Sequence, residues 1–220
     1  MDDDPARAGV RDTYDRIAAH FSATREYAWP EVESFLTDRT GTLGLDVGCG
    51  NGRHAELLAD PTDRVCALDV SRGLLEEARE RVANTDVSDT VGLVQGDASS
   101  LPVSTGTVDL AVYVATLHHL PSRELRLSSL DELARVLAPE GRALVSAWST
   151  AHDRFDAEAG FDTTVDWTLP GGERVPRFYH IYSPDEFRAD LDASGLQPVE
   201  VFVSSGNCYA VVADGERKAT

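Results

Sequence analysis

Apolar positions along the chain change period several times, and each change marks an element. Val10, Tyr14, Ile17, Ala18 and Phe21 recur three or four residues apart, which predicts an amphipathic helix over 6–20, with a shorter helix expected over 29–37. Beyond it, short continuous apolar runs take turns with helical patterns: "TLGLDV" then 52–59, "RVCALDV" then 72–83, "VGLVQ", "VDLAVYV" then 123–137, and "GRALVSAW". Strands apolar on both faces, alternating with helices, predict a parallel sheet covered on both sides. From 150 to 177 the chain turns polar, carries Pro170, Gly171, Gly172 and Pro176, and keeps no regular period, so an insertion or lid is expected. At "SPDE" order returns: Ser183 suits an N-cap, Pro184 the first helical position and Glu186 the capping-box position of a helix to about 194. "PVEVFVSS" and "CYAVVA", joined by a short "GN" turn, are expected to pair as an antiparallel hairpin. Residues 1–4 and 214–220 read as frayed polar ends.

Composition then narrows the class. At 220 residues with 42% hydrophobic side chains, the chain suits one domain with a sizeable core. It has no apolar run of about 18 residues, and "MDDDPARAGV" lacks the basic start and apolar core of a secretory signal, so a cytoplasmic protein is expected. Cys49, Cys66 and Cys208 are odd in number and lack CxxC spacing, which argues against a disulfide framework and against a zinc site. The formal charge of -18 and a single lysine, Lys218, point to a surface built for high salt and hence to a salt-loving source. No basic run is present, so any nucleic-acid contact must lean on scattered arginines, stacking and shape.

The chemistry concentrates at strand ends. "GCGNG" places glycines at 48, 50 and 52 between a strand and a helix, where a ligand can approach backbone N–H groups. Asp69 closes the next strand, 17 residues beyond Gly52, near the offset at which an acid accepts bonds from ribose hydroxyls. Asp97, followed by Ala98, closes the third strand, where a carboxylate and a backbone N–H can meet an adenine edge. The GxGxG spacing differs from the GxGxxG of a dinucleotide site, which leaves a nicotinamide dehydrogenase least favoured.

"LDVGCGNG", "ALDVS", "GDASSLP" and "APEGRALVSAW", in this order, resemble the class I S-adenosylmethionine-dependent methyltransferases over residues 42–148. The resemblance implies a Rossmann-like α/β fold with a seven-stranded sheet, mostly parallel with an antiparallel C-terminal hairpin and helices on both faces. In one domain over 1–220, it implies a helical cap at 1–40, a cofactor core at 42–148, a substrate insertion at 150–182 and a C-terminal helix and hairpin at 183–213. It also implies S-adenosylmethionine as cofactor. Asp46, Gly48, Gly50, Asn51 and Gly52 would hold its methionine part, Asp69 with Val70 its ribose, and Asp97 with Ala98 its adenine, with Val114 beside them.

"YDRIAAHFSATREYAWPEVESFL", "VATLHHLPSRELR", "ALVSAWS" and "PRFYHIYSPDEF" resemble, within that class, the tRNA wobble-uridine carboxymethyl methyltransferases. That resemblance implies esterification of a 5-carboxymethyl group on the first anticodon base. It further implies a small zinc-binding activator subunit that adds a strand to the sheet edge near 91–95. A carboxylate is ionised at neutral pH and needs orientation rather than a strong base. Candidates to orient it are Arg25, His118, His119, Trp148, Arg177, Tyr179 and His180. One of His118 and His119 is expected to face the pocket while the other caps or packs; in "RFYHIY" strand alternation separates Phe178, His180 and Tyr182 from Tyr179 and Ile181, and one face is structural. Two alternatives stand beside this reading: a methyltransferase of the same fold acting on a small metabolite, and a cofactor-binding module without turnover.

Overall fold

The computed structural model describes residues 5–215, and within them lie six helices and nine strands. Helix α1 spans Pro5–Ser22 and α2 Pro30–Leu36; then β1 (Gly41–Val47), α3 (Arg53–Leu58), β2 (Thr62–Asp69), α4 (Arg72–Ala83), β3 (Val91–Gln95) and β4 (Val108–Tyr113) alternate. A single turn at Leu117–His119 leads to α5 (Arg123–Val136) and β5 (Leu137–Trp148), and β6 (Phe161–Thr168), β7 (Arg174–Ile181), α6 (Pro184–Ala193), β8 (Leu196–Ser204) and β9 (Asn207–Asp214) complete the chain. The ends expected to fray at 1–4 and 216–220 lie outside the described residues, whereas Asp214 closes β9.

The main sheet has the order β3-β2-β1-β4-β5-β9-β8, with β1 to β5 parallel and β9 antiparallel to both of its neighbours. Its central strands are apolar on both faces because both are covered. In β2, Cys66 and Leu68 pack into one cluster with α5 and α6 side chains such as Leu130 and Phe187, while Val65 and Ala67 join Val32, Phe35 and Leu58 in the other. A third cluster forms where α1 lays Tyr14, Ile17 and Ala18 against Leu74 of α4 and Val175 of β7. Strand order reverses between β1 and β4, so the carboxyl ends of the strands open onto a crevice there.

Three expectations need correction. The polar stretch after residue 150 is not irregular throughout: β6 and β7 form an antiparallel hairpin with Thr163 opposite Tyr179 and Val165 opposite Arg177. Its alternation is carried by Phe161, Thr163, Val165 and Trp167, and the threonine and the charged partner strand hide it from a purely apolar count. The C-terminal turn is Ser205–Gly206, not "GN"; both residues have positive φ (49° and 75°), as a type I′ hairpin turn needs, and Asn207 already pairs with Ser204. Helix α5 stops at Val136, because Leu137 opens β5. The capping signal at "SPDE" holds, with the Glu186 N–H donating to Ser183 Oγ at 3.2 Å.

Candidate active site

The crevice holds a cavity of ≈ 410 Å³ lined by strand ends, the underside of α1 and the inner face of the β6–β7 hairpin. At its floor the glycine turn is left-handed at all three glycines, with φ of 72°, 55° and 80°. Each glycine is required for a different reason. A Cβ on Gly48 would collide with the Thr116 side chain, and one on Gly52 would press Ala78 of α4 at 3.2 Å. At Gly50 the nearest atom is Phe21 Cε1, 3.9 Å away, so this backbone faces open cavity. Gly48→Ala is therefore expected to lower stability by about 2–4 kcal/mol, adding left-handed strain to overpacking, with partial rescue by Thr116→Ala in urea unfolding.

Beside the turn, Asp69 accepts from Gly50 N–H at 2.8 Å through Oδ2 and from Ser71 N–H at 2.8 Å through Oδ1. Each carboxylate oxygen keeps a second lone pair for a ligand. Burial dominates these bonds and pushes its pKa up to about 6. Asp97 also lines the cavity, its Oδ1 accepting from Ser99 N–H and Oγ at 2.8 Å, with Ala98 next to it. Asn51 Nδ2 donates to the Arg25 carbonyl at 2.8 Å, tying the glycine turn to the loop after α1.

The opposite end of the cavity carries cations and rings. Arg177 is buried, its Nε has no hydrogen-bond partner, and its guanidinium lies over Trp167 (4.9 Å) and Tyr179 (5.2 Å). Arg25 stacks over Phe21 and Trp167, and burial, then the neighbouring charge of Arg177, lowers its pKa. Arg53 is shifted down to about 10, first by burial and then by Arg25. Among the described residues, neither these three nor Arg154 at the rim forms an ion pair, although most other arginines of this acidic chain do.

The two histidines after β4 take opposite tautomers. The Trp148 N–H donates to His118 Nδ1 at 2.9 Å, and burial holds His118 well below the usual histidine range, so its proton sits on Nε2. His119 Nδ1 faces the Phe178 carbonyl at 2.9 Å and must donate to it; its Nε2 then accepts from the Tyr14 hydroxyl at 2.8 Å. Burial lowers His119 to about 4. His119 is thereby committed to protein partners, whereas His118 keeps an Nε2–H without a protein acceptor among the described residues and lines the cavity.

A methyltransferase-domain family model matches residues 45–145. A putative methyltransferase of Encephalitozoon cuniculi is 30% identical over 90% of this chain and 92% of its own length. The chain belongs to the class I S-adenosylmethionine-dependent methyltransferases. A tRNA (carboxymethyluridine(34)-5-O)-methyltransferase of Saccharomyces cerevisiae is 34% identical over 76% of this methyltransferase. The chain spans 59% of that relative's length, and 20% and 21% of the Mus musculus and Xenopus tropicalis proteins of the same activity. Among solved structures, the putative methyltransferase in complex with the Haloferax volcanii Trm112 methyltransferase activator shares the fold, with a TM-score of 0.70 at 18% identity over 96% of this chain and 100% of that one.

Within this methyltransferase, Gly48, Gly50, Asn51, Asp69, Val70, Asp97, Ala98 and Val114 line the cavity, as do Arg25, His118, His119, Trp148, Arg177 and Tyr179. Three expected residues do not. Asp46 pairs with Ala67 in mid-sheet, beneath the turn, where burial and then the charge of Asp69 push it up to about 7 and leave Oδ2 without a partner. Gly52 packs on α4 and starts α3. His180 points to the other face of β7, its Nδ1 2.7 Å from Asp162 Oδ1 and its Nε2 3.0 Å from Glu186 Oε1, so it links the hairpin to α6. Residues missed by the sequence reading include Tyr14, counted only as an apolar helix position, Arg53 and His54 after the glycine turn, and His152 after β5. For Arg53 and His54 adjacency to the glycine turn was the available signal; for the others only the fold supplies one.

Proposed function

We propose that this methyltransferase transfers a methyl group from S-adenosylmethionine to the carboxylate of a 5-carboxymethyl-type wobble uridine in tRNA. The observation that carries the reading is Arg177: a buried guanidinium with no acidic partner among the described residues, beside a second unpaired cation, Arg25, in a chain of charge -18. Such a cation is poorly solvated until an anion arrives, and a planar guanidinium matches a carboxylate. The names of the relatives support the same choice of acceptor.

The residues present fit the cofactor. Gly50 leaves open space at the turn, Asp69 would take the ribose hydroxyls through its remaining lone pairs, and Asp97 with Ala98 would meet the adenine. The bound sulfonium supplies an electrophilic methyl group. Toward it, Arg25 and Arg177 hold and orient the substrate carboxylate, His118 offers an Nε2–H donor, and Tyr14 with His119 fixes the roof by bonding across from α1. Tyr14 and Tyr179 are raised above the ordinary tyrosine range, chiefly by burial, and stay neutral donors. The hairpin and Trp148 exclude water. Placement of this kind contributes roughly 7–11 kcal/mol to a bimolecular transfer. The small zinc-binding activator fits the exposed edge of the main sheet, where β3 is the terminal strand. No described helix is long and apolar enough to cross a membrane, and a cytoplasmic setting belongs to the same proposal.

Labelled-methyl transfer to total tRNA from a strain lacking the gene, read by nucleoside mass spectrometry, tests the reading. A methyl ester on wobble uridine supports it; product from small metabolites alone, or cofactor affinity with no product, overturns it. Cofactor binding should also follow Asp69. Ribose hydroxyls donate to the ionised form, so affinity is expected to fall about tenfold per pH unit below about 6, in calorimetry from pH 5 to 8. The free protein has the opposite sign: a carboxyl raised from 3.8 to about 6 stabilises fully below 3.8, and that contribution is lost as pH rises through about 6.

A further inference from the structure

Tyr27 is the most exposed large hydrophobic side chain among the described residues, with 77% of its surface open, and it stands midway between Arg25 and Trp29, both of which line the cavity. Two Cα steps separate it from each, so its backbone lies within about 7.6 Å of the cavity wall on either side. The loop that carries it is held. Asn51 Nδ2 bonds the Arg25 carbonyl at 2.8 Å, Arg81 Nη2 bonds the Glu26 carbonyl at 2.8 Å, and Arg81 is anchored by Glu56 at 2.6 Å. Pro30 then starts α2. A ring left in water on a loop pinned on its N-terminal side contributes nothing to the core, whereas its neighbour Trp29 packs edge-on against His54 and Tyr209.

We infer that Tyr27 is a stacking platform for a nucleobase adjoining the one that enters the cavity. The inference rests on the proposed tRNA reading and deepens it: the substrate is a single-stranded nucleic-acid loop held by at least one neighbouring base, not an isolated nucleoside. Unpaired bases of such loops are splayed out and stacked on aromatic side chains, a contact indifferent to phosphate attraction. On a surface of charge -18, with no basic run, stacking supplies what counterion release does not. Arg154, exposed at the rim, without an ion pair among the described residues and stacked over Trp148 at 5.7 Å, is the cation available to an adjoining phosphate.

The test compares an anticodon stem-loop carrying 5-carboxymethyluridine with the free 5-carboxymethyluridine nucleoside at millimolar concentration, for the wild type, Tyr27→Ala and Tyr27→Trp. Tyr27→Ala is expected to raise KM for the stem-loop about tenfold with kcat and the cofactor Kd unchanged, the loss of one base–ring stack. Tyr27→Trp restores KM, and the nucleoside, which has no neighbouring base, shows no difference between variants. An unchanged stem-loop KM in Tyr27→Ala, or an equal loss on the nucleoside, overturns the inference alone. A wild type that turns over neither acceptor while binding cofactor overturns the tRNA reading, and this inference with it.

Discussion

Arg177→Met is expected to lower kcat/KM for the carboxylate acceptor by about 10²–10³, to leave cofactor affinity within about twofold, and to raise thermal stability. Removing one side of a buried, hydrogen-bonded charge pair costs about 2–5 kcal/mol when the other side must still be buried, and in the proposed reaction the substrate carboxylate is that other side. Stability moves the other way because the free protein holds the guanidinium without an acid, so an apolar chain of similar volume relieves a desolvation penalty. Its contacts with Trp167 and Tyr179 offset part of that gain. Steady-state kinetics, calorimetry with S-adenosylhomocysteine and a melting curve separate the three effects. A variant that loses activity and stability together would make Arg177 a structural residue.

The second large effect is expected at Asp69. Asp69→Ala should weaken cofactor binding about a hundredfold or more, since charge-assisted bonds to ribose hydroxyls contribute about 1.5–3 kcal/mol each. It also leaves the N–H groups of Gly50 and Ser71 without their acceptor, so the turn itself loosens. Asp46→Asn provides the contrast. Asp46 lies one layer below the cavity with an unpartnered, buried oxygen, and a neutral amide is expected to change affinity far less. Calorimetric titration of both variants at pH 7.5 reads the difference directly.

Strands β1, β2, β4 and β5 were legible in the sequence because their central residues are buried on both faces, which makes continuous apolar runs with sharp ends, whereas the edge strand β3 is only partly buried and shows as the short run "VGLVQ". Helix α6 was legible through chemistry rather than hydropathy, by Ser183, Pro184 and Glu186 at cap spacing. The β6–β7 hairpin was not, because it faces a polar cavity: its inner side carries Thr163, Arg177 and Tyr179, so burial there does not read as apolar. For the same reason Arg177 and His180 could not be sorted by residue type. Parity along β7 decides it, sending His180 to the carboxylates of Asp162 and Glu186 and Arg177 to the cavity. Asp46 and Asp69 both sit near strand ends in the sequence, yet the register pairs Asp46 with Ala67, two residues short of Asp69 and hence beneath the floor. Tyr14 was read as core and is indeed buried, but its hydroxyl bonds His119, 105 residues away, a relation that no local pattern encodes.

The most direct measurement is the affinity of the cofactor-loaded protein for two anticodon stem-loops that differ only in the wobble substituent, 5-carboxymethyluridine against its uncharged amide, 5-carbamoylmethyluridine. An unpaired arginine pair awaiting an anion requires at least tenfold tighter binding of the carboxylate form, and loss of that preference in Arg177→Met. Equal affinity for the two loops in the wild type would contradict it.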